Sequence, residues 1–506
     1  MAPFTRRDFL KLASLLPLAT LRAPQRLPGA HSGHTKNILI LVFDAWTSKN
    51  IQIFGYPRET MPNLARIAER AIVYHNHHAT SDFTTPGTAS LLTGTLPWTH
   101  RALHVNGRVI RSRAEANIFN LFPGHYSIAY SHNVLVNTLL DQMLSNNALD
   151  EHVPFHEMML YSDWVERIFE QDSDLASVSR YFALDSENAL TNALFFPQLA
   201  ESLEARALRG LRAQYDHLFP LGLPRSTRNT HYILETAREW LDANLSALPR
   251  PFLGYFHFLP PHDPYRPRAD FVDRFDDGVE FIDKPQHILS ENLPRRRVKA
   301  FRQRYDEFMA YTDDEFAKIF AAIEASGMLE DTILVLTSDH GEIFERQMAH
   351  HGTNTFHEPI IRVPLMIFSP DQAEGLNIHA PTTAVDVLPT LLHLSEEPLP
   401  NWVEGQVLPP FAAEDQGRSL FAVAAKNNST AQPLTHYTGA IVRDGYKLTA
   451  YEGYAELPDG QPHYELYDVA NDPEELENLA ESRPGLVAEL RDALLEAKGR
   501  ADEPFT

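Results

Sequence analysis

Two continuous apolar runs constrain the fold of this chain more than any other feature. Residues 37–43 and 332–337 each form such a run, without the polar alternation of a half-exposed strand. Runs of this kind are typical of strands that helices cover on both faces. Asp44 follows the first run, and Ser338-Asp339-His340 follows the second. Because open α/β sheets bind ligands at the carboxyl ends of their parallel strands, these polar residues mark a candidate site.

Helical patterns alternate with strand patterns along the chain. Residues 61–72 carry apolar side chains at helical spacing, and a second helix is predicted to begin near Thr88. Residues 301–327 predict a long helix, and further strands are predicted at residues 251–259 and 363–368. The alternation predicts an α/β fold with a large mixed, mostly parallel sheet that is sandwiched by helices.

The pattern predicts a catalytic domain at residues 36–415 and a smaller C-terminal α+β subdomain at residues 416–506. In the subdomain we expect a strand near residues 440–450 and a terminal helix at residues 484–498. Residues 135–230 of the catalytic domain predict a helical insertion, because aromatic and leucine residues recur there at helical spacing. One stripe in the insertion fits either an apolar lid or ordinary core packing: Leu208, Leu211, Tyr215 and Leu218.

The first 35 residues predict an export signal and a linker. Thr5-Arg6-Arg7-Asp8-Phe9-Leu10-Lys11 matches the twin-arginine pattern, and a short apolar run follows it. The run is shorter than the roughly 20 residues that a transmembrane helix needs. We therefore expect export by the twin-arginine pathway to the periplasm or the cell exterior. An uncleaved signal that acts as a membrane anchor is the alternative to cleavage.

The charge balance argues against nucleic acid as a partner. The chain has 67 acidic against 44 basic side chains and a formal net charge of −23, whereas binding to phosphate backbones relies on Lys and Arg. A small anionic substrate is compatible with this charge, because a bound metal reverses the local field. The chain contains no cysteine, which excludes disulfides, cysteine-ligated zinc and a thiol nucleophile. The oligomeric state is left open.

Two carboxylates and an imidazole are predicted to converge at the edge of the sheet. Asp44, Asp339 and His340 each follow a predicted buried strand, and such a ligand set suits a divalent metal ion. Hydroxyl residues also cluster around a Pro-Gly pair at residues 81–88, just before a predicted helix. A helix N-terminus favours an anionic ester and a nucleophile. Taken alone, Asp44 is explained equally well as a cap or turn residue, and the hydroxyl cluster is explained better as a threonine N-cap.

Several motifs, in order along residues 36–495, resemble the sulfatase-like branch of the alkaline phosphatase superfamily. The family's nucleophile helix corresponds to Ser90-Leu91-Leu92-Thr93-Gly94, which puts Thr84 at the nucleophile position. Its metal pair corresponds to Asp339-His340, and its histidine loop to Pro261-His262-Asp263-Pro264-Tyr265. Further matching segments are Pro62-Asn63-Leu64, Asp386-Val387-Leu388-Pro389-Thr390, Glu465-Leu466-Tyr467-Asp468 and Asp472-Pro473-Glu474. The resemblance implies a metal-dependent enzyme that acts on ester bonds.

The chain departs from true sulfatases at the nucleophile and at the metal. Those enzymes use a formylglycine made from cysteine or serine, and Thr84 cannot form it because its β-carbon already carries a methyl group. Thr88 replaces the arginine of the family motif, and Ala45 stands where a second aspartate is usual. His340 replaces the asparagine of calcium sulfatases, and imidazole favours zinc, manganese or iron over calcium. These departures resemble phosphodiesterase, phosphonate hydrolase and phosphoglycerol transferase relatives.

The resemblance implies a role for seven residues. Four of them are expected to bind one divalent metal ion: Asp44, Thr84, Asp339 and His340. Thr84 is also the expected nucleophile, and His262 is expected to protonate the leaving group. His132 and His351 are candidates for binding the oxyanion of the substrate.

The expected substrate is a small phosphate mono- or diester, either free or linked to a lipid or glycan. The covalent Thr84 intermediate is released by water or by an acceptor alcohol, so that hydrolysis and transfer both stay open. A sulfuric ester hydrolase is the first alternative. A catalytically inactive binding protein on the same fold is the second.

Overall fold

In the computed structural model, residues 35–506 form one compact unit. The structure describes residues 36–145, 149–162, 195–227, 230–372, 374–415, 417–457 and 460–506. The predicted export signal lies outside these residues, as do residues 163–194 of the predicted insertion. In the described part of the chain, no helix is long and apolar enough to span a membrane.

The described residues contain fourteen strands: β1 (Asn37–Phe43), β2 (Ile72–His78), β3 (Tyr126–Ser131), β4 (Glu151–His152), β5 (Phe252–Phe258), β6 (Thr332–Thr337), β7 (Ile343–Glu345), β8 (Met348–His350), β9 (Leu365–Phe368), β10 (Leu376–Thr383), β11 (Leu420–Ala424), β12 (Tyr437–Arg443), β13 (Tyr446–Glu452) and β14 (His463–Asp468).

The same residues contain eleven α-helices: α1 (Pro62–Ala68), α2 (Thr84–Thr93), α3 (Pro97–His100), α4 (Ile118–Leu121), α5 (Val134–Ser145), α6 (Phe195–Tyr215), α7 (Leu234–Asn244), α8 (Arg295–Ala325), α9 (Glu358–Ile361), α10 (Val387–Leu394) and α11 (Pro484–Asp502).

Eight strands form the central sheet in the spatial order β10-β2-β9-β6-β1-β5-β3-β4. The strand β9 is antiparallel to its neighbours β2 and β6, and the other pairs in this sheet are parallel. The predicted mixed, mostly parallel sheet is thereby confirmed. Because β1 lies between β5 and β6, the ends of these three strands meet at one place on the sheet edge.

The side chains of β1 alternate between two hydrophobic cores. One core contains the side chains at odd positions, Leu39, Leu41 and Phe43, and residues of α1, α7 and α8. The other core contains the side chains at even positions, Ile38, Ile40 and Val42, and residues of α2, α5 and α10. None of the six is more than 3% exposed. Burial of such a side chain contributes about 1.5–3 kcal/mol, so the unbroken apolar run follows from helices on both faces.

The helix α2 begins earlier than the sequence suggests. It was expected near Thr88 but begins at Thr84, because Pro86 fits the first turn of a helix, where its missing N–H needs no partner. A Cβ atom at Gly87 would lie 2.3 Å from the backbone carbonyl oxygen of Asp339. Glycine at this position therefore lets the first turn of α2 approach the end of β6.

The C-terminal strands β11 to β14 form a four-stranded antiparallel sheet, on which Leu490 and Leu494 of α11 pack. The prediction of a single strand at residues 440–450 is wrong, because this segment belongs to the hairpin that β12 and β13 form. Asp444 and Gly445 form its two-residue turn with positive φ angles of 51° and 79°, which is the turn chemistry that an Asp-Gly pair favours.

The remaining strands, β7 and β8, form a two-stranded antiparallel sheet.

In the predicted insertion, α6 packs Leu211 and Tyr215 against the core that contains α8. Leu208 is buried and Leu218 is 37% exposed. These contacts favour the core-packing interpretation of the leucine stripe over the lid.

Candidate active site

The four expected metal ligands lie together at the sheet edge. Asp44 follows β1, Asp339 and His340 follow β6, and Thr84 is the first residue of α2. The Nε2 atom of His340 lies 3.3 Å from Thr84 Oγ1, 3.3 Å from Asp44 Oδ1 and 3.6 Å from Asp339 Oδ2. All four residues are at most 1% exposed. The cluster is therefore a buried set of oxygen and nitrogen donors.

The orientation of His340 fits metal coordination. Its Nδ1 atom lies 2.9 Å from the carbonyl oxygen of Gly341, so the proton on Nδ1 is donated there and the Nε2 lone pair faces the three oxygens. Burial lowers the pKa of His340, but Asp339 and Asp44 raise it to about 10. The raised pKa shows that the carboxylates favour a positive charge at this point.

Two carboxylate oxygens in the cluster are available to bind an ion. Asp44 Oδ1 and Asp339 Oδ2 have no hydrogen-bond donor within the described residues, although both are buried. Burial and the charge of Asp44 raise the pKa of Asp339. Buried carboxylates without donors are costly, and a divalent cation between them removes that cost. The residues present therefore fit a divalent metal ion.

His257 was missed by the sequence interpretation. It lies in β5 opposite Val42 of β1, and its Nε2 atom is 3.1 Å from Asp44 Oδ2 and 3.9 Å from Asp339 Oδ2. The hydroxyl group of Tyr255 lies 3.0 Å from its Nδ1 atom and fixes the ring. His257 thus offers the cluster a nitrogen donor atom, whereas the side chain of Ala45 has no donor atom. A histidine within an otherwise apolar strand was the available signal.

Asn133 was also missed. Its Nδ2 group donates to Asp44 Oδ2 at 2.6 Å and to Thr84 Oγ1 at 3.3 Å. Its Oδ1 atom accepts the backbone N–H of Leu135 at 2.9 Å, which caps the start of α5. The amide therefore orients one carboxylate ligand and also contacts the hydroxyl oxygen of Thr84. Its position two residues after the buried strand β3 was the signal.

His132 lies outside this cluster. Its ring stacks on Tyr232 at 5.0 Å, its Nε2 atom is 3.3 Å from the carbonyl oxygen of Met158, and its Nδ1 atom accepts the N–H of Leu259 at 3.5 Å. Burial lowers its pKa to about 3. Since consecutive residues after a strand point in different directions, Asn133 rather than His132 reaches the site.

His262 and His351 extend the site towards solvent. The ring centre of His351 lies 4.4 Å from that of His340 and 4.6 Å from that of His262. The side chains of His262 and His351 are 19% and 16% exposed. Burial lowers the pKa of His262. The charges of Asp44 and Asp263 raise it by a larger amount, so that the net shift is upward. A raised pKa favours the protonated ring that a general acid requires.

Glu342 and Lys426 are further ionisable groups at the site. Glu342 Oε1 lies 3.1 Å from His351 Nδ1, and burial raises the pKa of Glu342 to about 8. Lys426, which follows β11, places its Nζ atom 4.8 Å from the ring centre of Phe83 and 3.7 Å from Asp82 Oδ2. Phe83 immediately precedes Thr84. The C-terminal part of the chain therefore brings a cation to the nucleophile segment.

Comparisons with known proteins agree with this fold. The family model described as Sulfatase matches residues 36–396, and the model described as N-sulphoglucosamine sulphohydrolase, C-terminal, matches residues 349–499. The chain is 26% identical over 478 residues to choline-sulfatase of Rhizobium meliloti (strain 1021). This alignment covers 89% of this chain and 83% of that protein. It is 23% identical to the multifunctional alkaline phosphatase superfamily protein PehA of Trinickia caryophylli, over 90% of this chain and 93% of that protein.

Among solved structures, the phosphonate monoester hydrolase of Silicibacter pomeroyi superposes with a TM-score of 0.64 at 18% identity. The match covers 93% of this chain and 97% of that one. Fold and site together define an ester hydrolase of the alkaline phosphatase superfamily. Within that superfamily, the chain belongs to the sulfatase family, whose enzymes depend on a metal ion.

Proposed function

We propose that this enzyme hydrolyses phosphate mono- or diesters through a covalent intermediate on Thr84. The observation that carries the proposal is the position of Thr84 Oγ1, which lies 3.3 Å from His340 Nε2 and 3.3 Å from Asn133 Nδ2. A threonine hydroxyl can attack phosphorus, whereas it cannot become the aldehyde that sulfatases use. Phosphoryl transfer suits such a site, because it relies mainly on positioning and charge stabilisation.

We further propose one divalent metal ion at this site, with zinc, manganese or iron favoured over calcium. Asp44, Asp339, His340 and Thr84 would hold it, and His257 is a further donor. Two imidazoles in the set support the metal preference, since calcium prefers oxygen ligands. When bound, the ion supplies positive charge that lowers the pKa of the Thr84 hydroxyl and stabilises the anionic ester.

The protein residues divide the reaction into two displacements. Thr84 Oγ, after losing its proton to solvent, forms a bond to phosphorus while the bond from phosphorus to the leaving oxygen breaks. His262 donates its proton to that oxygen, and the released group is an alcohol. In the second step, the deprotonated His262 accepts a proton from water while the water oxygen forms a bond to phosphorus. The bond from phosphorus to Thr84 Oγ breaks, and Thr84 Oγ takes up a proton from solvent, which restores the hydroxyl. An acceptor alcohol in place of water gives transfer instead of hydrolysis.

A hydrogen-bonding imidazole and a cation near Thr84 support binding of the phosphoryl oxygens. His351 and Lys426 lie on the accessible side of the cluster. The unpaired N–H groups in the first turn of α2 add positive electrostatic potential beside Thr84. His132 has no place in this scheme, because its contacts lie in the core.

A sulfuric ester is the alternative substrate, and the two matched family models support it. The C-terminal match to a sulphohydrolase of N-sulphoglucosamine also supports a glycan-linked ester over a lipid-linked one. A panel of p-nitrophenyl sulfate, phosphate monoester, phosphate diester and phosphonate ester separates these substrates. Phosphate esters are expected to be turned over fastest, and a preference for the sulfate would reverse the assignment.

Substitution of Thr84 tests the nucleophile. Thr84→Ala should lower kcat by at least about 1,000-fold, as expected for a nucleophile, while Thr84→Ser retains part of the activity. Thr85→Ala is the matched control, because the Thr85 hydroxyl donates to the carbonyl oxygen of Val105. Mass spectrometry of quenched reactions should find a phosphoryl group on the peptide that contains Thr84. Full activity of Thr84→Ala would refute the assignment.

We also propose export by the twin-arginine pathway, to the periplasm or the cell exterior. The motif Thr5-Arg6-Arg7-Asp8-Phe9-Leu10-Lys11 supports it. In a host with this translocase, replacing both arginines by lysine should leave the protein in the cytoplasm. Unchanged fractionation would contradict the proposal, and recovery of the unmodified protein in washed membranes would favour the uncleaved anchor.

A further inference from the structure

A second group of buried imidazoles lies beside the C-terminal sheet. His287 belongs to the segment before α8, His357 immediately precedes α9, and Glu465 lies in β14. Their donor atoms lie within 4.8 Å of one another, and the three residues are 3%, 1% and 7% exposed. None of them is among the residues that surround Thr84.

The ring of His357 is oriented like that of a metal ligand. Its Nδ1 atom lies 3.4 Å from Glu475 Oε2, and its Nε2 atom lies 3.9 Å from Glu465 Oε2. A proton on Nδ1 that is directed at a carboxylate leaves the Nε2 lone pair for a metal, which is the usual arrangement of metal-bound histidines. Burial also lowers the pKa of His357, which favours the neutral ring that a ligand needs.

The spacing of the donor atoms fits a small ion. His287 Nε2 lies 3.4 Å from Glu465 Oε1, close to the edge of about 3.3 Å between two ligands of a tetrahedral zinc ion. Within the described residues, neither the Nε2 atom of His287 nor that of His357 has a hydrogen bond. The hydroxyl of Tyr451 donates to Glu465 Oε2 at 2.9 Å and holds the carboxylate in place.

Ion binding requires one local change at His287. Its Nδ1 atom now accepts the backbone N–H of Leu289 at 3.1 Å. Coordination through Nε2 moves the ring proton to Nδ1, so this contact between residues two apart is lost. A single hydrogen bond of this kind contributes far less free energy than the binding of a structural zinc ion.

The surrounding charges allow a cation. Lys447 Nζ lies 2.8 Å from Glu358 Oε1 and 2.7 Å from Glu475 Oε1, and Arg346 acts electrostatically on His357 and on Glu465. Arg362 also pairs with Glu358 at 3.2 Å, and Glu345 lies 3.6 Å from Arg346. Four carboxylates therefore face three cations in this network. A divalent ion at the imidazoles would therefore enter a region with net negative charge.

We propose that His287, His357 and Glu465 bind a structural divalent transition-metal ion of the zinc class, separate from the ion at Thr84. Imidazole and carboxylate donors suit zinc, cobalt and nickel. The ion fastens the segment before α8 and the start of α9 to β14. The site therefore stabilises the attachment of the C-terminal sheet and takes no part in ester cleavage.

Metal counting on the full chain tests the proposal. The chelator-stripped protein is titrated with Co²⁺, whose visible absorption reports tetrahedral sites, and with Zn²⁺ followed by elemental analysis. His287→Gln should bind one ion fewer than wild type. Asp339→Ala should still bind one ion per chain, and the double variant Asp339→Ala/His287→Gln should bind none. The control His393→Gln removes an exposed histidine and should leave the count unchanged.

Thermal unfolding provides an independent measurement. In the Asp339→Ala background, Zn²⁺ should raise the Tm relative to a chelator, because a ligand that binds the folded state stabilises it. The His287→Gln substitution should remove this rise without removing ester turnover from the otherwise wild-type enzyme. His357→Gln replaces it if His287→Gln fails to fold. An unchanged metal count in the histidine variants, or an Asp339→Ala chain that binds no ion, would overturn the proposal.

Discussion

Replacement of Asn133 gives the sharpest test of the site geometry. Its Nδ2 group donates to the buried carboxylate of Asp44 at 2.6 Å and to Thr84 Oγ1 at 3.3 Å. A hydrogen bond to a charged group contributes about 1.5–3 kcal/mol. At about 1.4 kcal/mol per factor of ten, loss of the first bond alone should lower kcat/KM by about 10- to 150-fold in Asn133→Ala.

The assay separates the two bonds of the amide. Loss of the bond to Asp44 should weaken metal affinity by about 10- to 100-fold, as is typical of groups that orient metal ligands, and excess metal should offset this part. Loss of the contact with Thr84 should lower kcat even when metal is saturating. Steady-state kinetics at several metal concentrations, with metal affinity from competition against a chelator, measure both effects.

Two control variants exclude a loss of helix stability as the cause. Asn133→Ser keeps a residue that caps α5 well but is too short to donate to Asp44, so it should behave like Asn133→Ala. Asn137→Ala removes an amide of the same helix whose Nδ2 group donates to the carbonyl oxygen of Ser131 at 3.2 Å, and its kcat/KM should stay within about 3-fold of wild type. Wild-type kcat/KM in both Asn133 variants would refute the reasoning.

Three further predictions concern other residues. His257→Ala should weaken metal affinity by at least about 10-fold, measured by chelator competition, because it removes a donor 3.1 Å from Asp44. Lys426→Met should raise KM for an anionic ester by about 10-fold with little change in kcat, because uniform binding is lost. Burial raises the pKa of Asp313 from 3.8 to about 6, so its favourable contribution is complete below pH 4 and is lost as the pH rises through 6. Relative to Asp313→Asn, denaturant unfolding should show wild type losing about 2 kcal/mol between pH 4 and pH 7.

The central sheet and part of the site could be predicted because their signals are local. The apolar runs that became β1 and β6 report burial on both faces, and the residues that follow them must lie at the sheet edge. The ends of these two strands therefore place Asp44 close to Asp339 and His340, although nearly 300 residues separate them in sequence. The family resemblance then added Thr84, which no local pattern distinguishes from a helix cap.

The remaining donors could not be predicted because they depend on which strands are neighbours. His257 reaches Asp44 only because β5 pairs with β1 in a register that puts Val42 opposite it. The choice between His132 and Asn133 depends on the direction of a side chain after β3, and sequence spacing does not determine that direction. The antiparallel placement of β9 between β2 and β6 is likewise a property of the assembled sheet.

The departures from the sulfatase pattern form one consistent chemical change. Relative to calcium sulfatases, Ala45 removes a carboxylate and His340 replaces an amide. In this chain, His257 places an imidazole 3.1 Å from Asp44. Two carboxylates then balance the charge of a divalent ion, and two neutral nitrogen donors make the site softer than a calcium site. A softer ion is also the better one for lowering the pKa of a plain hydroxyl. The proposed metal ligands and the proposed nucleophile Thr84 therefore support the same reaction, direct attack on phosphorus by an ionised threonine.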